Sequence, residues 1–456
     1  MSRFVWKSFE LKGRGRSLVQ GRAVGRGVGV GRVRVLRGTA DFDRFQPGEV
    51  LVAERTESGW EEVIKRAAAV VTDRGGPTSH TVIAGRALRR PTIVGSLDGT
   101  RVLADGAPVT VWCGSAAGSV FAGDVAFEEK EHELDLTRRP TTKVMVNVGT
   151  TAEAHEAAGL PCDGAGLVRT EFLIRNVVGI HPMALCAFEK VTDGATRSAI
   201  EQMTDGVADK TDFFEAKLGS GIEEVARAFY PREVVIRLSD LKSNEYADLV
   251  GGEEFEAKEE NPMLGVRGAS RYLADSYRAA FAAECRAIAR VRRERGLENI
   301  RVIVPFCRTT GEAESVLKEM AGHGLERGVA DLGVDMMCEV PSNVVLIDEF
   351  ADLFDGFSIG SNDLTQLVLG VDRDAEELWR QFDERDLAVC RMISTAIAGA
   401  KRKNRRVGLC GQAPSDYPEF LRFLIDEGIE SVSLNADSII EATAQILEIE
   451  DARARG

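Results

Sequence analysis

The chain has 456 residues, of which 44% are hydrophobic, and a formal net charge of -14 at pH 7. This length exceeds one ordinary domain and predicts two to four domains, with a large barrel counting as one. The acidic balance excludes broad nucleic-acid binding, which depends on clustered lysines and arginines.

The first segment, residues 1–126, is rich in glycine and valine and contains many short strand-like runs separated by turn residues. Two helices are predicted within it, "GWEEVIKRAA" and "HTVIAGRAL", and the second begins at His80. The glycine-rich "GRGVGVGR" does not fit the dinucleotide-binding pattern, and no phosphate-binding G-x-x-x-x-G-K-[ST] loop occurs. We therefore expect a small domain of short strands with a few helices.

Residues 127–143, "FEEKEHELDLTRRPTTK", are charged and lack an apolar period, which predicts a linker with some helix. In residues 144–456, eight strand-like runs alternate with amphipathic helices, which predicts a closed parallel (β/α)₈ barrel of the TIM type. A long helical insertion is expected at about Met183–Phe229, after the second strand. The eight strand-like runs are "VMVNVG", "AGLVRT", "VVIRLSD", "VIVPF", "DMMCEVP", "GFSIGSND", "VGLCGQA" and "SVSLN".

Polar residues follow several of these strands, where the active sites of such barrels are built. Three of them are arginines, Arg169, Arg237 and Arg267, which either pair with carboxylates or bind an anionic ligand. Glu339 and Asp363 are hard oxygen ligands of the kind that holds Mg²⁺. A thiol, Cys410, ends another strand; a single cysteine is more often inert packing, but the combination suits chemistry on a phosphorylated three-carbon acid.

Several motifs carry a family resemblance. "GGPTSHTVIAGRALRRPTIVG" resembles the swivelling phosphohistidine domain of the phosphoenolpyruvate-utilising enzymes, and the barrel resembles their phosphoenolpyruvate/pyruvate-binding domain. Within the family, "IRLSDLKSNEYADLVGGEEFE", "EENPMLGVRG" and "GLCGQAPSDYPEFLRFLIDEGIESVSLN" most resemble the phosphoenolpyruvate synthases (pyruvate, water dikinases). The resemblance runs from about Gly21 to the C-terminus, with the motifs in the family's order.

The resemblance implies a phosphoryl carrier and a barrel site with Mg²⁺ as cofactor. The carrier would be His80, with the hydroxyl of Thr78 near the phosphate. Cys410 would move the proton at the methyl carbon of pyruvate, and Glu339 and Asp363 would bind the magnesium. The implied substrate-binding residues are Arg169, Arg237, Arg267, Ser361, Asn362 and Arg373.

The sequence also departs from the family pattern. Pro77 stands where relatives often carry Arg or Met, "IAGRAL" replaces an "IARELG"-like run, and Ala413 replaces a common glycine. No segment resembles the ATP-grasp domain that charges the histidine in a full-length synthase. We therefore expect a separate ATP-grasp subunit, or a chain that performs only the half-reaction with phosphoenolpyruvate.

The resemblance leaves alternatives open. An enzyme I-like phosphoenolpyruvate-protein phosphotransferase would insert a helical carrier-binding domain, for which no room exists before His80. A pyruvate, phosphate dikinase is disfavoured by "SDLKSNEY", and a non-catalytic sensor of phosphoenolpyruvate is opposed by the retained Cys410. The expected partners are pyruvate, phosphoenolpyruvate and a second copy bound through the barrel. With eight cysteines but no Cys-x-x-Cys, no signal peptide and no long apolar span, we expect a cytoplasmic protein without nucleic-acid or membrane binding.

Overall fold

The computed structural model describes residues 3–13, 15–76, 79–114, 117–373, 375, 378 and 380–455. Within them the chain forms a small closed barrel, a two-stranded ribbon and a large closed barrel. Thr78, predicted to lie near the phosphate, and Pro77 fall outside the described residues. None of the described helices is both long enough and apolar enough to cross a membrane.

The small domain confirms the prediction of many short strands. Seven strands of its described part close in the order β2-β6-β5-β4-β3-β7-β8. Every residue of β4 and β5 is buried, because alternate residues of these short valine-rich runs pack into two apolar clusters, one on each face of the strands. The helix α2 begins at His80, as predicted. The elements are β1 (Val5–Leu11), β2 (Ser17–Val24), β3 (Gly27–Leu36), β4 (Val50–Ala53), α1 (Glu61–Arg66), β5 (Ala69–Thr72), α2 (His80–Ala87), β6 (Thr92–Val94), α3 (Gly99–Val102), β7 (Pro108–Cys113), β8 (Ala117–Ala122) and β9 (Phe127–Glu133).

The ribbon pairs β1 with β9 in antiparallel register, from Val5 opposite Glu133 to Leu11 opposite Phe127. The expectation of some helix at the start of residues 127–143 is therefore wrong. Lys7 of β1 lies opposite Glu131 of β9, and its Nζ is 2.5 Å from Glu129 on the same strand. Opposite charges on facing strand positions stabilise such a pair, and this signal is invisible when the segment is considered alone.

The large domain is the predicted (β/α)₈ barrel. In the described part of the chain, eight parallel strands close in chain order, β10 to β17, and all eight coincide with predicted runs. The strands are β10 (Lys143–Val148), β11 (Gly164–Arg169), β12 (Glu233–Arg237), β13 (Ile300–Val304), β14 (Val334–Cys338), β15 (Gly356–Ile359), β16 (Arg406–Leu409) and β17 (Ser431–Leu434).

Helices surround this barrel, and their buried faces form one continuous apolar core with the strands. The predicted helical insertion after the second strand is confirmed by α6, α7 and α8. The helices are α4 (Thr151–Ala158), α5 (Thr170–Leu173), α6 (Pro182–Cys186), α7 (Gly194–Met203), α8 (Lys210–Phe229), α9 (Ser243–Ala247), α10 (Ala269–Leu273), α11 (Arg278–Glu294), α12 (Thr310–Gly322), α13 (Pro341–Val345), α14 (Ile347–Leu353), α15 (Ser361–Leu369), α16 (Leu387–Arg402), α17 (Ala413–Asp416), α18 (Pro418–Glu427) and α19 (Ile439–Arg455).

Candidate active site

Two arginines meet at the C-terminal ends of adjacent barrel strands. Arg169 is the last residue of β11 and Arg237 the last residue of β12, and the strand register places them opposite each other. Arg237 pairs with Glu171 and, at 3.5 Å, with Asp240. The Arg169 guanidinium lies 5.5 Å from the ring centre of Phe172 and makes no ion pair with a carboxylate in the described ranges. The mouth therefore presents two neighbouring arginines, of which only Arg237 makes ion pairs within the described ranges.

The electrostatics of this pair favour an anionic ligand. Burial lowers the pKa of Arg169, and the neighbouring Arg237 lowers it further. Burial also acts against the charge of Arg237, but Glu171 and Asp240 outweigh it and raise that pKa above its usual range. Phosphate and carboxylate oxygens accept paired hydrogen bonds from guanidinium groups, so an anion would relieve the unpaired charge of Arg169.

The third predicted arginine, Arg267, is buried between two carboxylates. Its Nε and Nη2 donate to the two oxygens of Asp240, both at 2.9 Å, and Nη2 also donates to Asp363 Oδ2 at 2.8 Å. The guanidinium lies 4.3 Å from the ring centre of Phe306. In this structure Arg267 therefore orients the two carboxylates, while Arg169 and Arg237 border the open mouth.

Three buried carboxylates converge at the same end of the barrel. Asp240, Glu339 and Asp363 each place an oxygen within 4.8 Å of the others. Glu339 and Asp363 were predicted as metal ligands from the sequence, whereas Asp240 was not. Asp240 could have been found from its position at the end of the predicted run "VVIRLSD". Glu339 and Asp363 also lie at or near the ends of predicted runs.

The donor set suits a divalent cation such as Mg²⁺. Hard carboxylate oxygens are the ligands that Mg²⁺ prefers, and Asp363 Oδ1 is a buried oxygen without a hydrogen-bond partner in the described part of the chain. A side chain at Gly360 would come within 2.5 Å of Glu339 Oε2, so glycine keeps this oxygen accessible. These three residues would hold the metal.

The carboxylates have opposite pKa shifts. Burial, together with the charges of Asp363 and Asp240, raises the pKa of Glu339 to about 8. Burial acts in the same direction on Asp363, but Arg267 and Arg373 outweigh it and hold the pKa of Asp363 well below its usual range. A divalent cation held by these carboxylates would add positive charge beside Glu339 and so favour its ionised form.

The helix α15 brings three predicted residues to the mouth in its first turn. Ser361 is buried and its hydroxyl donates to Glu384, while Asn362 is half-buried and Asp363 joins the carboxylate cluster. Arg373 follows this helix, and its Nη1 lies 3.4 Å from Asp363 Oδ1. Arg373 therefore lies beside the carboxylate cluster, whereas the Ser361 hydroxyl is directed toward Glu384.

Cys410 follows β16 and lies in the apolar layer beneath the mouth. Its Sγ is 4.0 Å from Met337 Sδ and 3.7 Å from the carbonyl oxygen of Ile359. Burial raises the pKa of Cys410 to about 11, so the sulfur carries its proton at neutral pH. The thiol is therefore in the form that can donate a proton. The layer consists of Leu167, Val235, Ile303, Met337 and Cys410.

His80 begins α2 in the small domain, as predicted, and both of its ring nitrogens have partners. Nδ1 lies 3.0 Å from Thr56 Oγ1, and Nε2 lies 2.8 Å from Glu61 Oε1. Neither partner was predicted, because they lie 24 and 19 residues away and no sequence pattern links them to the histidine. The imidazole is therefore fixed by the small domain itself.

The small domain docks on the side of the large barrel that carries the strand ends. A side chain at Gly76 would come within 3.7 Å of the carbonyl oxygen of Arg373. Arg86, on α2, donates to Asp416 at 3.1 Å and to Asp437 at 3.5 Å. Asp416 ends α17 and Asp437 follows β17, so the helix that begins with the predicted phosphoryl acceptor lies against the C-terminal side of the barrel.

Comparison with known families agrees with this architecture. The family described as "PEP-utilising enzyme, PEP-binding domain" matches residues 126–451, and "PEP-utilising enzyme, mobile domain" matches residues 45–115. The chain belongs to the PEP-utilising enzymes, where PEP is phosphoenolpyruvate.

Relatives of this chain are named phosphoenolpyruvate synthase. The Synechocystis sp. protein is 48% identical over 450 residues, which cover 98% of this chain and 55% of that protein. The Pseudomonas aeruginosa and Escherichia coli proteins are 46% and 44% identical, each over 98% of this chain and 56% of the relative. The chain thus spans about half the length of the curated relatives it matches.

Proposed function

We propose that this chain transfers a phosphoryl group between His80 and pyruvate, so that phosphoenolpyruvate is the product in one direction and pyruvate in the other. The observation that carries the proposal is the barrel mouth, where Arg169 and Arg237 face a cluster of three carboxylates above a buried thiol. The family membership and the phosphoenolpyruvate synthase name of the relatives support these substrates.

Different charged residues of the mouth bind the substrate and position the carboxylates. Arg169 and Arg237 bind the phosphate or carboxylate oxygens of the substrate, assisted by Asn362 and Arg373. Arg267 keeps the carboxylates in position. Asp240, Glu339 and Asp363 would hold Mg²⁺, which would supply positive charge that stabilises an enolate. Ordered positive charge at the oxygen where negative charge develops lowers the barrier to forming the enolate.

Cys410 moves the proton at carbon. When phosphoenolpyruvate gives its phosphoryl group to His80, the enolate of pyruvate is left, and the protonated thiol donates to its methylene carbon. In the direction of phosphoenolpyruvate formation the same sulfur takes the proton back. The high pKa that burial imposes on Cys410 keeps the thiol protonated until the enolate forms, and it makes the thiolate a stronger base for the reverse step.

In the full reaction, ATP, pyruvate and water give AMP, phosphoenolpyruvate and phosphate. The phosphoryl group on His80 comes from ATP in a separate step of this reaction. We place that step on an ATP-grasp subunit that charges His80, after which the small domain moves on its ribbon to the barrel. A homodimer formed through the barrel stays a prediction.

Incubation with phosphoenolpyruvate that carries a ³²P label, together with Mg²⁺, tests the carrier. We expect acid-labile label on the peptide that contains His80, no label in His80→Ala, and normal labelling in His155→Ala. His155 is a suitable control because it is an exposed histidine on the outer helix α4. Undiminished label in His80→Ala would show that another residue is the carrier, and binding of phosphoenolpyruvate without labelling would indicate a sensor.

A further inference from the structure

The two nitrogens of the His80 ring differ in accessibility. Nδ1 faces Thr56, which is buried and lies 2.9 Å from the hydroxyl of the equally buried Thr81. Nε2 faces Glu61, whose side chain is 49% exposed. Because buried hydroxyl groups cover Nδ1, a phosphoryl group can reach the ring only at Nε2, on the side where Glu61 lies.

Glu61 is held in this position from both sides. One carboxylate oxygen accepts from the His80 ring at 2.8 Å, and the other accepts from the backbone N–H of Gly59, also at 2.8 Å. The hydrogen bond with His80 lowers the pKa of Glu61, so the carboxylate is ionised at neutral pH and acts only as an acceptor.

This arrangement determines which nitrogen of the neutral ring carries the proton. Since Glu61 can only accept, the proton between Glu61 and the ring belongs to Nε2. Nδ1 is then unprotonated and accepts from the Thr56 hydroxyl, which in turn accepts from the Thr81 hydroxyl. The hydrogen bonds form a single directed chain from Thr81 to Glu61.

This chain of hydrogen bonds opposes phosphorylation of the ring. The electron pair that Nε2 would use to attack phosphorus lies in the N–H bond directed at Glu61. The carboxylate also places negative charge where the anionic phosphoryl oxygens must arrive. Resting on the proposed carrier role of His80, we infer that Glu61 is a positioning residue that stabilises the unphosphorylated histidine and so raises the phosphoryl-transfer potential of the carrier.

In one direction of the transfer, phosphoenolpyruvate is the phosphoryl donor. The Nε2–H bond of His80 breaks and its proton leaves through Glu61 to solvent, while the N–P bond forms. The bond between phosphorus and the enol oxygen breaks, and that oxygen keeps the electron pair. The enolate then takes one proton at carbon, so one proton is released and one is consumed. In the reverse direction the hydrogen bond from Nε2 to Glu61 re-forms and favours departure of the phosphoryl group.

The equilibrium level of phosphohistidine tests this inference. The chain would be equilibrated with labelled phosphoenolpyruvate and pyruvate at a fixed ratio with Mg²⁺, and the ratio of phosphorylated to free His80 measured. We expect Glu61→Ala to raise this ratio about tenfold, because a charge-assisted hydrogen bond of the free form is lost, and Glu61→Gln to raise it less. Glu62→Gln, at an exposed neighbouring position on α1, is the control and should leave it unchanged.

A second measurement uses the free histidine and needs no phosphoryl transfer. ¹⁵N chemical shifts of the His80 ring should show the proton on Nε2 in the wild-type chain at a pH where the ring is neutral, and Glu61→Ala should lose this preference. A proton on Nδ1 in the wild type, or an unchanged or lowered phosphohistidine ratio in Glu61→Ala beside a normally labelled wild type, would overturn the inference alone. A wild-type chain that takes no label on His80 would overturn the proposed function, and this inference with it.

Discussion

At the scale of single residues, the apolar layer beneath the mouth contains a cysteine whose burial favours the protonated thiol. Cys410 is buried beside Met337, and its raised pKa of about 11 keeps the thiol protonated at neutral pH. We expect Cys410→Ala to slow deuterium exchange at the methyl carbon of pyruvate by about 10²–10⁴-fold, the usual cost of losing a positioned acid or base. Binding of phosphoenolpyruvate should be retained, because we propose that the arginines, and not the thiol, bind its anionic groups.

The matched control for this substitution is Cys338→Ala. Cys338 is also buried in the large barrel, at the end of β14, but it belongs to the general core and not to the layer beneath the mouth. We expect Cys338→Ala to lower the free energy of unfolding and to retain deuterium exchange at the methyl carbon of pyruvate. Exchange at the wild-type rate in Cys410→Ala would remove the thiol from the proposed chemistry and leave it a packing role.

Glu339 provides the residue-scale test of the metal site. Glu339→Gln keeps the shape and the oxygen that accepts from the Phe306 N–H at 2.7 Å, but it removes a charge from the cluster. We expect the Mg²⁺ concentration for half-maximal exchange to rise at least tenfold. Asp335→Asn changes a carboxylate near the opposite end of the same strand, where it pairs with Arg301, and should leave that concentration unchanged. Equal metal requirements in wild type and Glu339→Gln would contradict the assignment.

At the scale of elements, α11 supports the loop that follows β12 through one buried acid. Glu284 accepts from the backbone N–H and the hydroxyl of Ser239, which precedes Asp240 of the carboxylate cluster. Burial raises the pKa of Glu284 from its usual 4.5 to about 7. Between pH 4.5 and 7 the folded chain keeps a proton that the unfolded chain has lost. The contribution of Glu284 to the free energy of unfolding is therefore fully present below pH 4.5 and is lost as the pH rises through about 7.

This linkage predicts a particular pH dependence for Glu284→Gln. The amide accepts from the Ser239 N–H and donates to its hydroxyl without ionising, so the free energy of unfolding should fall less between about pH 5 and pH 8 than in wild type. The difference should be at most about 3 kcal/mol, measured by denaturant unfolding at both pH values. Glu294→Gln, at the exposed end of the same helix, should behave as wild type. Identical pH dependence in Glu284→Gln and wild type would contradict the account.

The elements also show what the sequence could and could not predict. The barrel strands are apolar runs bounded by turn residues, and their polar ends led directly to Arg169, Glu339 and Cys410. The strand Phe127–Glu133 was missed because its order depends on pairing with Val5–Leu11, far away in the chain. The partners of His80 were missed for the same reason. Contacts made across distant segments leave no periodic signal in either segment.

At the scale of the whole molecule, ion pairs connect the two barrels. Arg86 of the small domain pairs with Asp416 at 3.1 Å, Arg22 approaches the same carboxylate at 3.7 Å, and Arg26 pairs with Glu441. The Arg86 and Asp416 side chains are only 18% and 13% exposed, so solvent screens their pair less than an ordinary surface pair. These contacts connect the small domain, which includes α2 with His80 at its start, to the C-terminal side of the large barrel.

Reversing one of these charges should loosen the docked arrangement. We expect Arg86→Glu to increase the radius of gyration measured by small-angle scattering, because like charges then face each other at Asp416 and Asp437. The double variant Arg86→Glu, Asp416→Arg should restore much of the compact value. An unchanged radius in Arg86→Glu would show that these ion pairs do not hold the domains together.

The central claim is that one chain carries both the phosphoryl acceptor and the site that makes and consumes pyruvate. The most direct measurement is transfer of ¹⁴C from labelled pyruvate into phosphoenolpyruvate by the purified chain, with Mg²⁺ and without ATP. We expect exchange in the wild type, none in His80→Ala, and normal exchange in His155→Ala. Binding of phosphoenolpyruvate without any exchange, or exchange that persists in His80→Ala, would contradict this claim.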